Sequence, residues 1–281
     1  MLTRRFGFLM PRAEPAPEAS AQIEREGYAV VPGAFEAEEV AALAAEIRSI
    51  FDARPADLRL PRSPAQNDAF RYEMLNRSPL CQRAIGHRAI LDVIEPLLGE
   101  DCHVIANTAW RNPPDPEEGP KGGPWHIDAG PHVPRPEGVP WDDRIPYPVF
   151  AIGVHIYLEA CPLDCGPTGV IPGSHRSGRL APFDSLFDPE LKCDGVGVEP
   201  LLAEAGDVAL FASDVWHRRM PTGPGDRGRF FLQAHYGRRD LAQRLRTTDR
   251  AHQLSPEAIE RATDERGKTV IGLHDPFFYD G

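Results

Sequence analysis

Between Val149 and Leu158 the chain alternates without a slip. Phe150, Ile152, Val154, Ile156 and Leu158 fall on one face; Ala151, Gly153, His155 and Tyr157 fall on the other. A period of two sustained over this length belongs to a β-strand and not to a helix. Arg229–Tyr236 repeats the pattern, with Phe230, Leu232, Ala234 and Tyr236 opposite Arg229, Phe231, Gln233 and His235. His103–Trp110 and Asp207–Phe211 read as further strands, and Tyr28–Pro32 as another that Gly33 ends. The connections are long and full of turn formers, with 25 Gly and 30 Pro in 281 residues. Residues 111–147 in particular carry few periodic signals. Short strands joined by such loops predict an antiparallel barrel or jelly roll.

Helices flank the strands. Ala21–Gly27 reads as a short one. Glu36–Asp52 places Val40, Leu43, Ala44, Ile47 and Phe51 on one face, with acidic residues in its first turn. Pro79–Leu98 reads as a second long helix, with Leu80, Ala84, Leu91, Ile94 and Leu98 on one face and Gly99 as its stop. Residues 1–19 are rich in Pro, Ala and Glu and are expected to form a loose arm. Residues 240–267 are expected to be a charged helical segment, with Ser255-Pro256-Glu257 as a helix start. No repeat and no linker divides the chain, so one mainly β domain with flanking helices is expected over residues 1–281.

Composition narrows the function. A net charge of −11 argues against nonspecific nucleic-acid binding, which needs a basic surface. No stretch approaches the run of about 18 apolar residues that a membrane span requires. After Arg4 and Arg5 the apolar run Phe6–Met10 is too short for a signal peptide, and Pro11 closes it. The five cysteines are therefore expected as reduced thiols in the cytoplasm. Cys161 and Cys165 lie four apart, but no second pair or nearby His completes a zinc set.

The chemistry starts at Trp125-His126-Ile127-Asp128. A His and an Asp two apart at a strand end point the same way and can chelate one ion. Alone the pair says little: the ten histidines and 42 acidic residues predict about 1.5 such pairs by chance. By residue type alone His126 reads first as a core histidine, and it is the company of Asp128 and a second histidine that reverses this. A second histidine, His217, follows the apolar strand Val208–Phe211. Two histidines and a carboxylate from separate strands are the ligand set of non-heme Fe(II) sites, which leave positions open for an oxidant and a co-substrate. Arg229 begins the next strand and suits a bidentate pair with a carboxylate. Arg227, on the same face, is the competing anchor.

Four blocks in register carry a family resemblance: Trp125–Asp128, Gly166-Pro167-Thr168-Gly169-Val170-Ile171-Pro172-Gly173-Ser174-His175-Arg176-Ser177-Gly178, Gly206–Phe211 leading to His217, and Arg229. Glu26–Gly33 fits as well. Over roughly residues 20–240 the chain resembles the phytanoyl-CoA dioxygenase family of Fe(II)/2-oxoglutarate oxygenases. The resemblance implies a double-stranded β-helix, a jelly roll of cupin type. It implies that His126, Asp128 and His217 bind Fe(II) and that Arg229 holds the distal carboxylate of 2-oxoglutarate, with O2 as oxidant. Thr108 and Thr222 are the expected secondary contacts to 2-oxoglutarate. The sequence departs from many relatives at Ile127, where Gln is frequent, and at Pro124, where some carry an amide. Halogenating relatives replace the carboxylate by a small residue, so Asp128 argues against that reaction.

The expected enzyme is a dioxygenase that oxidises an unactivated C–H of a small molecule, most simply by hydroxylation in secondary metabolism. A noncatalytic jelly-roll binding protein and a zinc hydrolase using the same His/Asp/His site are the alternatives. Gly166–Gly178 reads as structural, with His175 not a ligand. His155 and His235 face the expected interior. Trp125 and Trp216 read as packing residues. The Pro-rich segment Ala129–Pro148 reads either as a substrate-contacting loop or as a surface excursion.

Overall fold

The computed structural model describes residues 2–5, 8–11, 16–53, 69–115, 117, 121–128, 130–241 and 254–275. Leu2–Arg5 (β1) and Phe8–Pro11 (β2) pair antiparallel. Helix α1 spans Glu18–Glu26, ends on Gly27 at φ 88°, and leads into β3, Tyr28–Val31. The arm expected over residues 1–19 thus begins with a strand pair and gives its last two residues to α1. Helix α2, Ala37–Ala53, buries Val40, Leu43, Ala44, Ile47 and Phe51 as its spacing predicts. A short strand, β4 (Phe70–Tyr72), and one helical turn, α3 (Met74–Arg77), follow.

The single helix expected over 79–98 is two: α4, Pro79–Ile85, and α5, Arg88–Leu98. The break falls at Gly86-His87. Glycine is a poor helix former, and the His87 imidazole Nδ1 accepts the Ala89 N–H at 3.3 Å, which caps a new helix. Both helices still bury one face, so the periodicity runs through the break and hides it.

Strands β5 (His103–Asn112), β6 (Ala151–Tyr157), β7 (Thr168–Val170), β8 (Glu199–Pro200), β9 (Val208–Ala212), β10 (His217–Arg219) and β11 (Arg229–Gly237) complete the β framework. Of the expected helical tail, residues 242–253 lie outside the described residues. The remainder forms α6 (Pro256–Arg261), capped by the Ser255 hydroxyl, and α7 (Glu265–Val270).

Six strands form one antiparallel sheet in the order β3-β9-β6-β11-β5-β4, and β10-β7-β8 form a second. The faces read from the alternation hold. Ile152, Val154, Ile156, Phe230, Leu232 and Tyr236 pack with α2, α4 and α5 in the larger core. Tyr157, Phe211 and Phe231 instead join Cys161, Cys165 and Val170 in a second cluster between the sheets. Strand β6 is therefore buried along all seven residues, although only Ile152, Val154 and Ile156 are strongly apolar. This sandwich of a large and a small antiparallel sheet, helices on one outer face, is the expected jelly roll. All five cysteines are free and buried. Among the described residues no helix is long and apolar enough to cross a membrane.

Gly206, at the turn into β9, tests the frame. Its φ is +96°, and a Cβ there would meet the Phe35 carbonyl oxygen at 2.7 Å. Phe35 N–H donates to the Gly206 carbonyl across the same contact. Gly206→Ala combines left-handed strain with a backbone clash and is expected to cost about 1–3 kcal/mol. A urea unfolding midpoint equal to that of the wild type would refute this account.

Candidate metal centre

One turn builds the centre. After β9 the chain reverses through Ser213–Trp216, closed by Val215 N–H to the Ala212 carbonyl, and enters β10 at His217. The segment 124–128 lies along this turn. His126 and His217 exchange both backbone hydrogen bonds, at 2.9 and 3.0 Å, and Asp128 N–H donates to the Ser213 carbonyl at 3.0 Å. Residues 126 and 128 project to the same side, so the three side chains meet.

Their ligand atoms all lie within 4.8 Å of one another, the one such group among the described residues. His217 Nε2 is 3.5 Å and His126 Nε2 4.0 Å from Asp128 Oδ1. The Nδ1 of His126 lies 2.9 Å from the Pro124 carbonyl and that of His217 3.0 Å from the Val215 carbonyl. A carbonyl only accepts, so each neutral ring carries its proton on Nδ1 and turns the Nε2 lone pair toward the other two side chains. Exposure is graded: the His126 side chain is 48% exposed, Asp128 23% and His217 6%. The centre therefore opens to solvent on the His126 side.

Charge completes the picture. Burial opposes ionisation of Asp128, but His217, through charge and hydrogen bonding, and then His235 and His126 outweigh it. The carboxyl is held well below the usual carboxylate range. Burial and then the His217 charge push His126 down, keeping it neutral and able to ligate. Burial also opposes protonation of His217, yet Asp128 raises it above its ordinary value. One carboxylate and two imidazole nitrogens are a donor set that suits iron. Asp128 Oδ2 is buried without a hydrogen-bond partner, as a ligand atom awaiting a cation would be.

The surroundings divide into scaffold and pocket. Trp125 and Trp216 are packing residues, buried in a third cluster with their indole N–H groups donating to the Asp188 and Arg179 carbonyls. The Gly166–Gly178 segment is a brace: Trp216 N–H donates to Ser174 Oγ at 2.8 Å, and His175 Nε2 lies 3.0 Å from the Glu24 carbonyl. His235 sits beside the centre, its Nε2 2.6 Å from Ser213 Oγ and its Nδ1 3.7 Å from Asp128 Oδ2. Its inward position on β11 was legible; its approach to Asp128 was not.

Deeper in, His155 packs on Phe231 and Phe211, and burial, then the Arg229 charge, pushes it down to about 3. Arg229 opens β11 opposite Asn112, whose Oδ1 is 3.4 Å from Nη2. Its guanidinium lies over Phe231, and burial followed by the charge of Arg219 holds it down to about 10. Arg227 is exposed and outside the strand, so it is not the inward cation. Thr108 stands opposite Gln233 on the inward face and donates to its Oε1 at 3.1 Å, as Trp110 does at 2.7 Å. Thr222 lies in the connection to β11 with its methyl carbon against Gly166.

The loop after Asp128 is tied to the ligand turn. Asp214 accepts from His132 N–H, lies 2.6 Å from His132 Nδ1, and accepts from the Tyr147 hydroxyl at 3.0 Å.

A jelly roll that brings two histidines and a carboxylate together, with an arginine on an inward strand face, has the features of a non-heme iron oxygenase site. The sequence matches the family described as Phytanoyl-CoA dioxygenase (PhyH) over residues 23–227, and the chain belongs to that family. It is a 2-oxoglutarate-dependent non-heme iron dioxygenase, with Fe(II) as cofactor and 2-oxoglutarate and O2 as co-substrates. No curated protein matches the chain. Solved structures share the fold. EctD from S. alaskensis with bound Fe is 23% identical at a TM-score of 0.63, over 82% of this chain and 79% of that one. HygX from Streptomyces hygroscopicus with nickel and 2-oxoglutarate is 16% identical at 0.59, over 82% and 90%. The epimerase SnoN, in complex with Fe3+, alpha ketoglutarate and nogalamycin RO, is 19% identical at 0.58, over 79% and 82%.

Proposed function

We propose that this enzyme hydroxylates an unactivated C–H of a small molecule in secondary metabolism, with His126, Asp128 and His217 as the iron ligands and Arg229 as the seat of the distal carboxylate of 2-oxoglutarate. The observation that carries the reading is the convergence of three ligand atoms within 4.8 Å at the mouth of the jelly roll. Iron held there supplies, with 2-oxoglutarate and O2, the oxidising power to attack such a bond, leaving succinate and CO2.

The chain's own residues divide the remaining work. The carbonyls of Pro124 and Val215 orient the two imidazoles. Arg229 binds the co-substrate by charge and by its planar fork. Phe211, Phe231 and Trp110 pack together and give the interior its aromatic walls. Thr108, through Gln233, and Thr222 are assigned to the surroundings of the co-substrate. Substrate enters on the exposed His126 side, under the 130–148 loop. The structure of SnoN with nogalamycin RO and that of EctD with 5-hydroxyectoine support a small-molecule substrate. Five free, buried thiols support a reducing compartment, the cytoplasm.

Purified protein given Fe(II), 2-oxoglutarate and O2 is expected to form succinate slowly even without substrate. Succinate no higher than in a metal-free control would refute the proposal. Hydrolysis by a zinc-loaded sample would replace it.

A further inference from the structure

The interior beyond the metal centre holds more positive charge than one arginine supplies. Arg219 lies two residues after His217 on β10 and so shares its inward face, opposite Thr168. Its Nε and Nη2 are buried without a hydrogen-bond partner, as is Nε of Arg229. Among the described ion pairs neither arginine takes part. The contrast with Arg218, its neighbour on the opposite face, is plain. That guanidinium donates to the carbonyls of Arg219, Phe187, Asp188 and Lys121 and lies over Trp125. Arg218 is a satisfied structural cation; Arg219 is not.

Arg219 stands opposite Thr168, whose hydroxyl is 3.5 Å from the His155 ring; that ring packs on Phe231, over which Arg229 lies, and the charge of Arg219 bears on Arg229. Asp226, the acidic group that acts on Arg229, is committed elsewhere: its carboxylate accepts from the backbone N–H of Asp115 and of Gly228. Tyr157 is wholly buried in the same interior, its hydroxyl beside Thr168 and without a hydrogen bond of normal geometry. Two like charges and a phenol with unspent donors are costly to bury together. They become favourable around an anion that takes a bond from each.

We propose that Arg219 is a second cationic anchor for the distal carboxylate of 2-oxoglutarate, acting with Arg229 and the Tyr157 hydroxyl. The inference rests on the reading that Arg229 seats this co-substrate. It makes Arg219 a co-substrate specificity residue, and it gives the ligand-free protein a strain that 2-oxoglutarate relieves.

The test is anaerobic titration of 2-oxoglutarate into the Fe(II)-loaded protein, followed by calorimetry and by the shift in melting temperature. Arg219→Met is expected to melt no lower than wild type without ligand, because it removes an uncompensated charge. It is expected to bind 2-oxoglutarate about tenfold or more weakly, the loss of a charge-assisted hydrogen bond. In turnover the loss falls on KM for 2-oxoglutarate far more than on kcat. Arg219→Gln serves if the Met variant does not fold, and Arg219→Lys is expected to regain part of the affinity. Neutral variants that bind 2-oxoglutarate like wild type would overturn the proposal, and so would a loss confined to the organic substrate. Wild-type protein that takes up no 2-oxoglutarate would instead overturn the reading of Arg229 beneath it.

Discussion

His126→Ala is expected to leave a protein that folds like wild type and no longer retains iron. Of the three proposed ligands this one offers the cleanest test, because its side chain is 48% exposed and its ring packs against His217. Removing it disturbs no core contact, so the melting temperature of the metal-free protein should move by no more than a surface substitution does, within about 0.5 kcal/mol. Loss of one of the three proposed ligands leaves His217 and Asp128 to hold the ion. Iron content after dialysis is expected to fall to background, and succinate formation with it. Iron retained at the wild-type level would remove His126 from the ligand set. The same substitution at His217 is less clean, since that ring is buried against Phe211.

Arg229→Ala is expected to act on the co-substrate and not on the metal. The guanidinium lies over Phe231 and is not among the three side chains whose ligand atoms converge. Charge-assisted hydrogen bonds of this kind contribute about 1.5–3 kcal/mol, which corresponds to a rise in KM for 2-oxoglutarate of about 10- to 100-fold. Iron content should stay at the wild-type level. Arg227→Ala is the internal control, because Arg227 is exposed; its KM should not change. Equal effects of the two variants would mean that neither seats the co-substrate.

Much of this was legible in the chain because strands write their faces into alternation. The inward set Arg229, Phe231, Gln233 and His235 could be read directly, and the structure places all four on the interior face of β11. His126 and Asp128 were visible as a pair because two residues on a strand end share a side. What the sequence hides is what lies across a fold. Nothing local tells that His235 approaches Asp128, or that Arg219 turns inward, since β10 is only three residues long and shows no period. The break between α4 and α5 escaped for the opposite reason: both halves bury the same face, so the apolar spacing survives the interruption. Strands β4 and β7, three residues each, were too short to register as alternation.

Asp214 has a wider consequence. It clasps His132 near one end of the long loop and Tyr147 near the other, and both ends meet on the turn that delivers His217. The stretch between them, with Arg144 exposed and Trp141 packed against the core, is thus held at both of its ends. Substitutions between the clips are therefore expected to leave His217 where it is, because the two ends and not the intervening residues fix the turn before it.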